Sequence, residues 1–120
     1  MATFAKLGLT GVSTGRPLLI SATTQGTAIT IHTPAASPTF DEVWLWVANT
    51  TGAAISFNLL VDDGSIVDPD DYYVKGLSVP ANSPEILVLA GMSMNTAANV
   101  LKAFSSATGI TVHGFVNRIS

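Results

Sequence analysis

The sequence predicts an all-β protein: a single-domain antiparallel β-sandwich, jelly-roll-like, with about eight strands and an extended N-terminal arm. Three observations predict it. Short apolar stretches recur at spacings near ten residues along 16–120, with Pro, Gly, Asn and Asp between them. Within several of them apolar and polar residues alternate, as on a strand with one buried face. No stretch carries convincing amphipathic-helix spacing. A chain of 120 residues suits one domain and can bury a core without staples. The divisions expected are an arm at 1–15 and the sandwich at 16–120.

Each element follows from local chemistry. Residues 1–15 are rich in Gly, Thr and Ser with weak periodicity. They read as an arm that either is disordered alone or packs on a neighbouring subunit. Arg16-Pro17 opens a strand over Leu18–Thr24, with Leu18, Ile20 and Ala22 on one face. Gln25-Gly26 is a turn, and Thr27–Thr33 returns with Ile29 and Ile31 inward, so the two strands are expected to form a hairpin. The stretch Pro34–Pro38 is a loop, because proline lacks an amide donor and fixes φ. Phe40–Ala48 sets Val43, Leu45 and Val47 against Trp44 and Trp46, so both faces are apolar. One face should fill the core; the other should meet a loop, an arm or another subunit. After the turn Asn49–Gly52, Ala54–Val61 alternates cleanly through Ile55, Phe57, Leu59 and Val61, which suggests a central hairpin over Phe40–Val61.

The remainder follows the same logic. Asp62–Asp71 is a loop with five aspartates. Tyr72–Val79 is a strand, Pro80–Pro84 a loop, and Glu85–Ala90 a short apolar strand. Gly91–Thr96 reads as a bend or a short edge piece. Asn99–Ser106 and Ile110–Ile119 are the last strands, joined by the turn Ala107–Gly109.

Composition narrows the function. Charged residues are 11% of the chain against about 25% in a typical soluble domain. Such a Thr/Ala-rich, weakly charged surface suits a protein buried in an assembly. Net charge is −3, and the basic residues Lys6, Arg16, Lys75, Lys102 and Arg118 are scattered. No basic stripe marks a nucleic-acid partner. Apolar runs are too short for a transmembrane helix, so no membrane partner is expected. The N-terminus has no apolar core of a secretory signal, so folding in the cytoplasm of the producing cell is expected. Without cysteine, disulfides and thiolate metal sites are excluded.

Four constellations could carry chemistry. Asp62, Asp63, Asp68, Asp70 and Asp71 could offer oxygen ligands to calcium, but their spacing is not that of an EF-hand. Turn-capping in an exposed loop explains them as well, and a carboxylate patch meeting Arg or Lys on a partner is a further use. His32 and His113 could meet if the first and last strands pair, and with an Asp could hold a metal; surface or interface roles are the commoner use of such histidines. Gly11-Val12-Ser13-Thr14-Gly15 fits the letters of a hydrolase nucleophile motif, but it lacks the strand, helix and long α/β chain that the elbow needs. Trp44 and Trp46 with Tyr72 and Tyr73 could stack a sugar, although aromatic residues serve packing and interfaces at least as often. No enzyme activity and no cofactor are expected.

The run DEVWLWVANTTGAAISFNLLVDDGS (41–65), followed by LSVPANSPEILVLAGMSMNTAANVLKAFSSATGITVHGFVNRIS (77–120), resembles small virion proteins of tailed bacteriophages. The shared features are Asn49–Gly52 at a strand end, Val79–Asn82 leading into an apolar strand, the Leu89–Gly91 bend, and Lys102–Ser106 with Val112–Gly114 as a closing hairpin. The resemblance covers residues 16–120. It implies a capsid decoration (cement) protein on the virion surface that binds the major capsid protein and itself, with a homotrimer favoured, assembled in the host cytoplasm. The alternatives are a tail or head-fibre component, or a carbohydrate- or calcium-binding β module. Phe4, Leu7, Leu9, Trp44, Trp46, Tyr72 and Tyr73 are the interface candidates. The family carries no active-site residues to transfer.

Overall fold

Period-two alternation along residues 40–61 sends every second side chain into one shared core, and the rest of the chain closes around it. The computed structural model describes residues 3–12 and 16–120. Its strands are β1 (Phe4–Leu7), β2 (Leu18–Ile20), β3 (Ile29–His32), β4 (Phe40–Asn49), β5 (Ile55–Asp62), β6 (Tyr72–Val79), β7 (Ile86–Met94), β8 (Val100–Ser105) and β9 (Ile110–Ile119). Two antiparallel sheets form. The first runs β1-β9-β4-β7, with β2 also on β9, and the second runs β3-β8-β5-β6. β1 and β2 lie end to end along one edge of β9, against Val116–Ile119 and Ile110–Val112 respectively. From β2 onward the chain crosses between sheets at every connection except the β5–β6 hairpin, in the order of a jelly roll, two Greek keys folded face to face.

The core lies between the sheets. Val43, Leu45 and Val47 of β4 and Val112 and Val116 of β9 enter it from the first sheet. Ile55, Phe57 and Leu59 of β5 and Leu101 and Ala103 of β8 enter it from the second. Each large side chain buried this way stabilises the fold by about 1.5–3 kcal/mol relative to exposure.

Three expectations change. The segments Leu18–Thr24 and Thr27–Thr33 are not a hairpin: β2 pairs with β9 and β3 with β8, in different sheets. Residues 25–27 form a single 3-10 turn between them. Phe40–Val61 is not a hairpin either, since β4 and β5 belong to opposite sheets. The corner is built on Asn49, which is buried. Its Nδ2 donates to the carbonyls of Ala53 at 2.7 Å and Val79 at 3.1 Å. Its Oδ1 accepts from the Thr51 amide at 2.9 Å. β8 and β9 are likewise split between sheets, so the expected closing hairpin is also a crossing.

Of the expected arm, residues 3–12 are described, and they pack on the sandwich. β1 pairs in register with the end of β9, from Phe4↔Ile119 to Leu7↔Val116. Leu9 is fully buried in the core. The Gly11 amide donates to the Ile31 carbonyl at 2.8 Å. A Cβ on Gly11 would collide with the Thr30 and Ile31 carbonyl oxygens, so this approach to β3 requires glycine. Gly91, expected in a bend, instead lies inside β7. It takes a φ of +78° between Ala90 and Met92, which pair with Trp44 and Val43. The strand absorbs one extra residue there and the ladder resumes.

Candidate functional site

The outer face of the first sheet is built from alternate residues of β4 and β9. The register sets Phe40 opposite Ile119, Glu42 opposite Asn117, Trp44 opposite Phe115 and Trp46 opposite His113. Neighbouring side chains on one face of an antiparallel pair lie within packing distance, and here they are aromatic. The centroids of Trp44 and Phe115 are 6.2 Å apart with an interplanar angle of 13°. Those of Trp46 and His113 are 5.8 Å apart at 14°. Trp44 and Trp46 are themselves 6.5 Å apart at 23°, so the four rings form one continuous layer. Such pairs contribute about 0.5–1.5 kcal/mol beyond their buried area.

Charges frame the layer. The Lys6 ammonium sits 4.2 Å from the centroid of the Phe115 ring, a cation–π contact. His113 Nε2 lies 3.1 Å from Glu85 Oε1. Trp44 packs over the β7 bulge, where a Cβ on Gly91 would lie 3.4 Å from its ring. Its indole Nε1–H is buried and finds no hydrogen-bond partner among the described residues. A buried donor in that state costs about 1–3 kcal/mol, which the aromatic packing around it must offset.

The same face gathers exposed apolar groups. Phe4 is 74% exposed, Leu19 48%, Leu87 46% and Phe40 42%. Register places all four outward on this sheet, next to Ile119, Thr111, Trp46 and Ile119 respectively. Exposed apolar groups concentrated on one face mark an interaction surface. The other large exposed apolar side chains among the described residues, Ile66 and Tyr73, lie in the aspartate loop and on β6.

A second cluster lies at one end of the core, with Asp41 and His32 buried and Arg118 partly exposed. Asp41 and Arg118 are cross-strand partners. Arg118 Nε donates to Asp41 Oδ1 at 2.7 Å and its Nη2 to Oδ2 at 2.9 Å. His32 Nε2 lies 2.8 Å from Oδ2, and the Ala35 amide donates to the same oxygen at 3.1 Å. The Thr10 amide donates to His32 Nδ1 at 3.3 Å. Nδ1 is therefore the acceptor, and the neutral ring carries its proton on Nε2. Burial is the main force on His32 and pushes its pKa down. For Asp41, burial pushes upward, but the bonds from Arg118, His32 and Ala35 outweigh it and hold the carboxyl at about 2. With Thr10, Ala35 and Arg118 closed around it, the cluster joins the N-terminal segment to β3, β4 and β9 as a structural fastening.

The other sequence candidates scatter. His32 and His113 lie on different sheets, one buried against Asp41 and the other on the aromatic layer, so they do not share a metal site. The five aspartates divide. Asp62 pairs with Lys102 at 3.0 Å and accepts the Gly64 amide at 2.8 Å. Asp63 accepts the Ser65 amide at 2.9 Å. Asp68, Asp70 and Asp71 converge, with candidate ligand oxygens within 4.8 Å of one another. Asp71 also accepts the Asp68 amide at 2.8 Å, the bond of a turn cap. Tyr72 stands on the second sheet, edge-on to Phe104 at 6.4 Å and opposite the buried Leu60. Tyr72 and Tyr73 are therefore remote in the fold from Trp44 and Trp46, and no joint platform exists. Leu7 and Leu9 pack on this chain's own core. Ser13 lies outside the described residues.

Sequence reasoning found Trp44 and Trp46 but missed that Phe115, Leu19, Phe40 and Leu87 share their sheet face. It also passed over Asp41 and Arg118. A signal for that pair was present: Asp41 shares its strand face with Val43, Leu45 and Val47, and Arg118 shares its face with Val112 and Val116. A carboxylate on an inward face must find a partner.

By its fold the chain is a jelly-roll β-sandwich, and the outer face of its first sheet is aromatic and apolar. No protein-family model matches the chain, and no curated protein matches it.

Proposed function

We propose that this chain is a structural virion protein of a tailed bacteriophage, a capsid decoration protein that binds the major capsid protein and stabilises the head. The observation that carries the reading is the apolar, aromatic outer face of the first sheet. A protein that worked as an isolated monomer would leave Phe4, Leu19, Phe40 and Leu87 in water on the same face as Trp44 and Trp46, whereas an assembly buries them. The low charge of the surface and the jelly-roll architecture, recurrent in viral shells, support it. So does the resemblance of residues 16–120 to small phage virion proteins. A tail or head-fibre position is the neighbouring alternative.

The test is reconstitution. Purified protein mixed with undecorated phage heads is expected to bind at a fixed stoichiometry and to raise the temperature at which the heads release DNA. Failure to bind heads while binding purified tails moves the protein to the tail; failure to bind either overturns the reading.

A further inference from the structure

We propose that the outer face of the first sheet meets the same face of a second copy of this chain, across a two-fold axis lying along β9. The inference rests on the assembly reading above and adds the partner and the symmetry. A face that meets itself is isologous and closes at two copies, whereas a three-fold cap would join two different patches.

The arrangement of residues argues for self-pairing. β9 is flanked by β1 on one side and β4 on the other. Lys6 and Glu42 both pair with Asn117, so they lie in one row on opposite sides of β9. A two-fold axis along β9 exchanges the two sides. It therefore sets Lys6 of each copy against Glu42 of the other, giving two reciprocal ion pairs at the same level. One row away, Phe4 and Phe40 both pair with Ile119, and the same rotation sets Phe4 against Phe40. At the far end, Leu19 and Ala48 both pair with Thr111, so a large side chain meets a small one.

The middle of the face brings aromatic groups together as well. Among the described residues, β1 ends opposite Val116 and β2 begins opposite Val112. The rotation brings Trp44 and Trp46 of the second copy to the β1–β2 side of Phe115 and His113, because they pair with those residues on the other side of β9. Across this axis β1 and β2, β9 and β4 face their counterparts, and β7 lies outside the overlap. Three strands about 4.8 Å apart, some ten residues long at ~3.3 Å each, outline about 480 Å². Side-chain relief raises the accessible area above this, to the low end of the range for specific interfaces. Two sheets packed face to face in near-alignment are a standard arrangement of β-structure.

Sedimentation equilibrium on the full chain tests this with two charge-reversed variants. The parent chain is expected at twice its 12.4 kDa mass. Lys6→Glu and Glu42→Lys each place like charges opposite one another, and each is expected to weaken self-association by about tenfold or more. The double variant K6E/E42K restores opposite charges and is expected to recover the parent's affinity. Circular dichroism matching the parent's shows that each variant is folded. A monomer at the highest soluble concentration, a trimer, or single variants that associate as well as the parent would each overturn the inference. So would a double variant no tighter than the singles. A monomer that still coats undecorated heads removes the two-fold pairing alone, and a charge-dependent dimer that ignores heads and tails removes the virion reading alone.

Discussion

Asp41 accepts four hydrogen bonds in a place where water does not reach, and its ionisation carries a pH signature. Its carboxyl is held at about 2 against an ordinary value of 3.8. Its contribution to stability is therefore complete above the unfolded value and is lost as the pH falls from about 4 toward 2. His32 acts at higher pH. It is kept neutral by burial and by the Thr10 amide on Nδ1, with its pKa pushed below 6.5. The unfolded chain takes up a proton there before the folded one does, so stability is full above pH 6.5 and declines below it. The melting temperature is expected to fall already between pH 7 and pH 5, and to fall again below pH 4. In His32→Gln, whose amide can still donate toward Asp41, the first decline should vanish while the second remains. A variant that keeps the parent's slope between pH 7 and 5 would assign that slope to another group.

At the level of elements, β7 shows how an irregular residue shapes a regular face. The strand carries register shifts against β4 between Val43 and Trp44 and between Leu45 and Trp46. Gly91 supplies the first with its positive φ, directly beneath the Trp44 ring. Alanine there must hold a left-handed conformation, at about 1–2 kcal/mol, and press its Cβ on the indole. Gly91→Ala is expected to lower stability by about 2 kcal/mol and to alter the tryptophan fluorescence, read by urea unfolding and emission spectra together. An unchanged midpoint and spectrum would mean that the bulge does not position Trp44. Gly91 was visible in the sequence as punctuation. Only pairing with β4 distinguishes a bulge within a strand from the end of one, because both use the same backbone freedom.

For the molecule as a whole, the N-terminal segment is structural. Leu9 is in the core, Thr10 donates to His32, and β1 covers the end of β9. Leu9→Ala is expected to destabilise the chain by about 3 kcal/mol, measured by urea denaturation. A loss under about 0.5 kcal/mol, the range of a surface substitution, would restore residues 1–15 to the role of a free arm. Removing residues 1–15 should therefore damage the fold and not only its attachments. The sequence concealed this because Phe4–Leu9 is too short to display a clear period, and its burial depends on contacts with residues far along the chain.

Local chemistry determined the strands and their inward faces. Tyr72–Val79 and Ile110–Ile119 have the bounds that alternation and flanking turns assign them, and Val43, Leu45, Val47, Ile55, Phe57 and Leu59 are all buried. Alternation is a property of neighbours, so it is written in any short stretch. It does not say which sheet a strand joins. That is why Phe40–Val61 reads as a hairpin but folds as a corner between sheets, locked by Asn49. The tertiary structure alone decided which outward residues share a surface. Trp44 and Trp46 stand out in the sequence, but Phe4, Lys6, Leu19, Leu87 and Phe115 come to share their face only because β7 and β9 flank β4 and β1 and β2 line the far edge of β9. Such pairings join residues distant in sequence, and no local pattern encodes them.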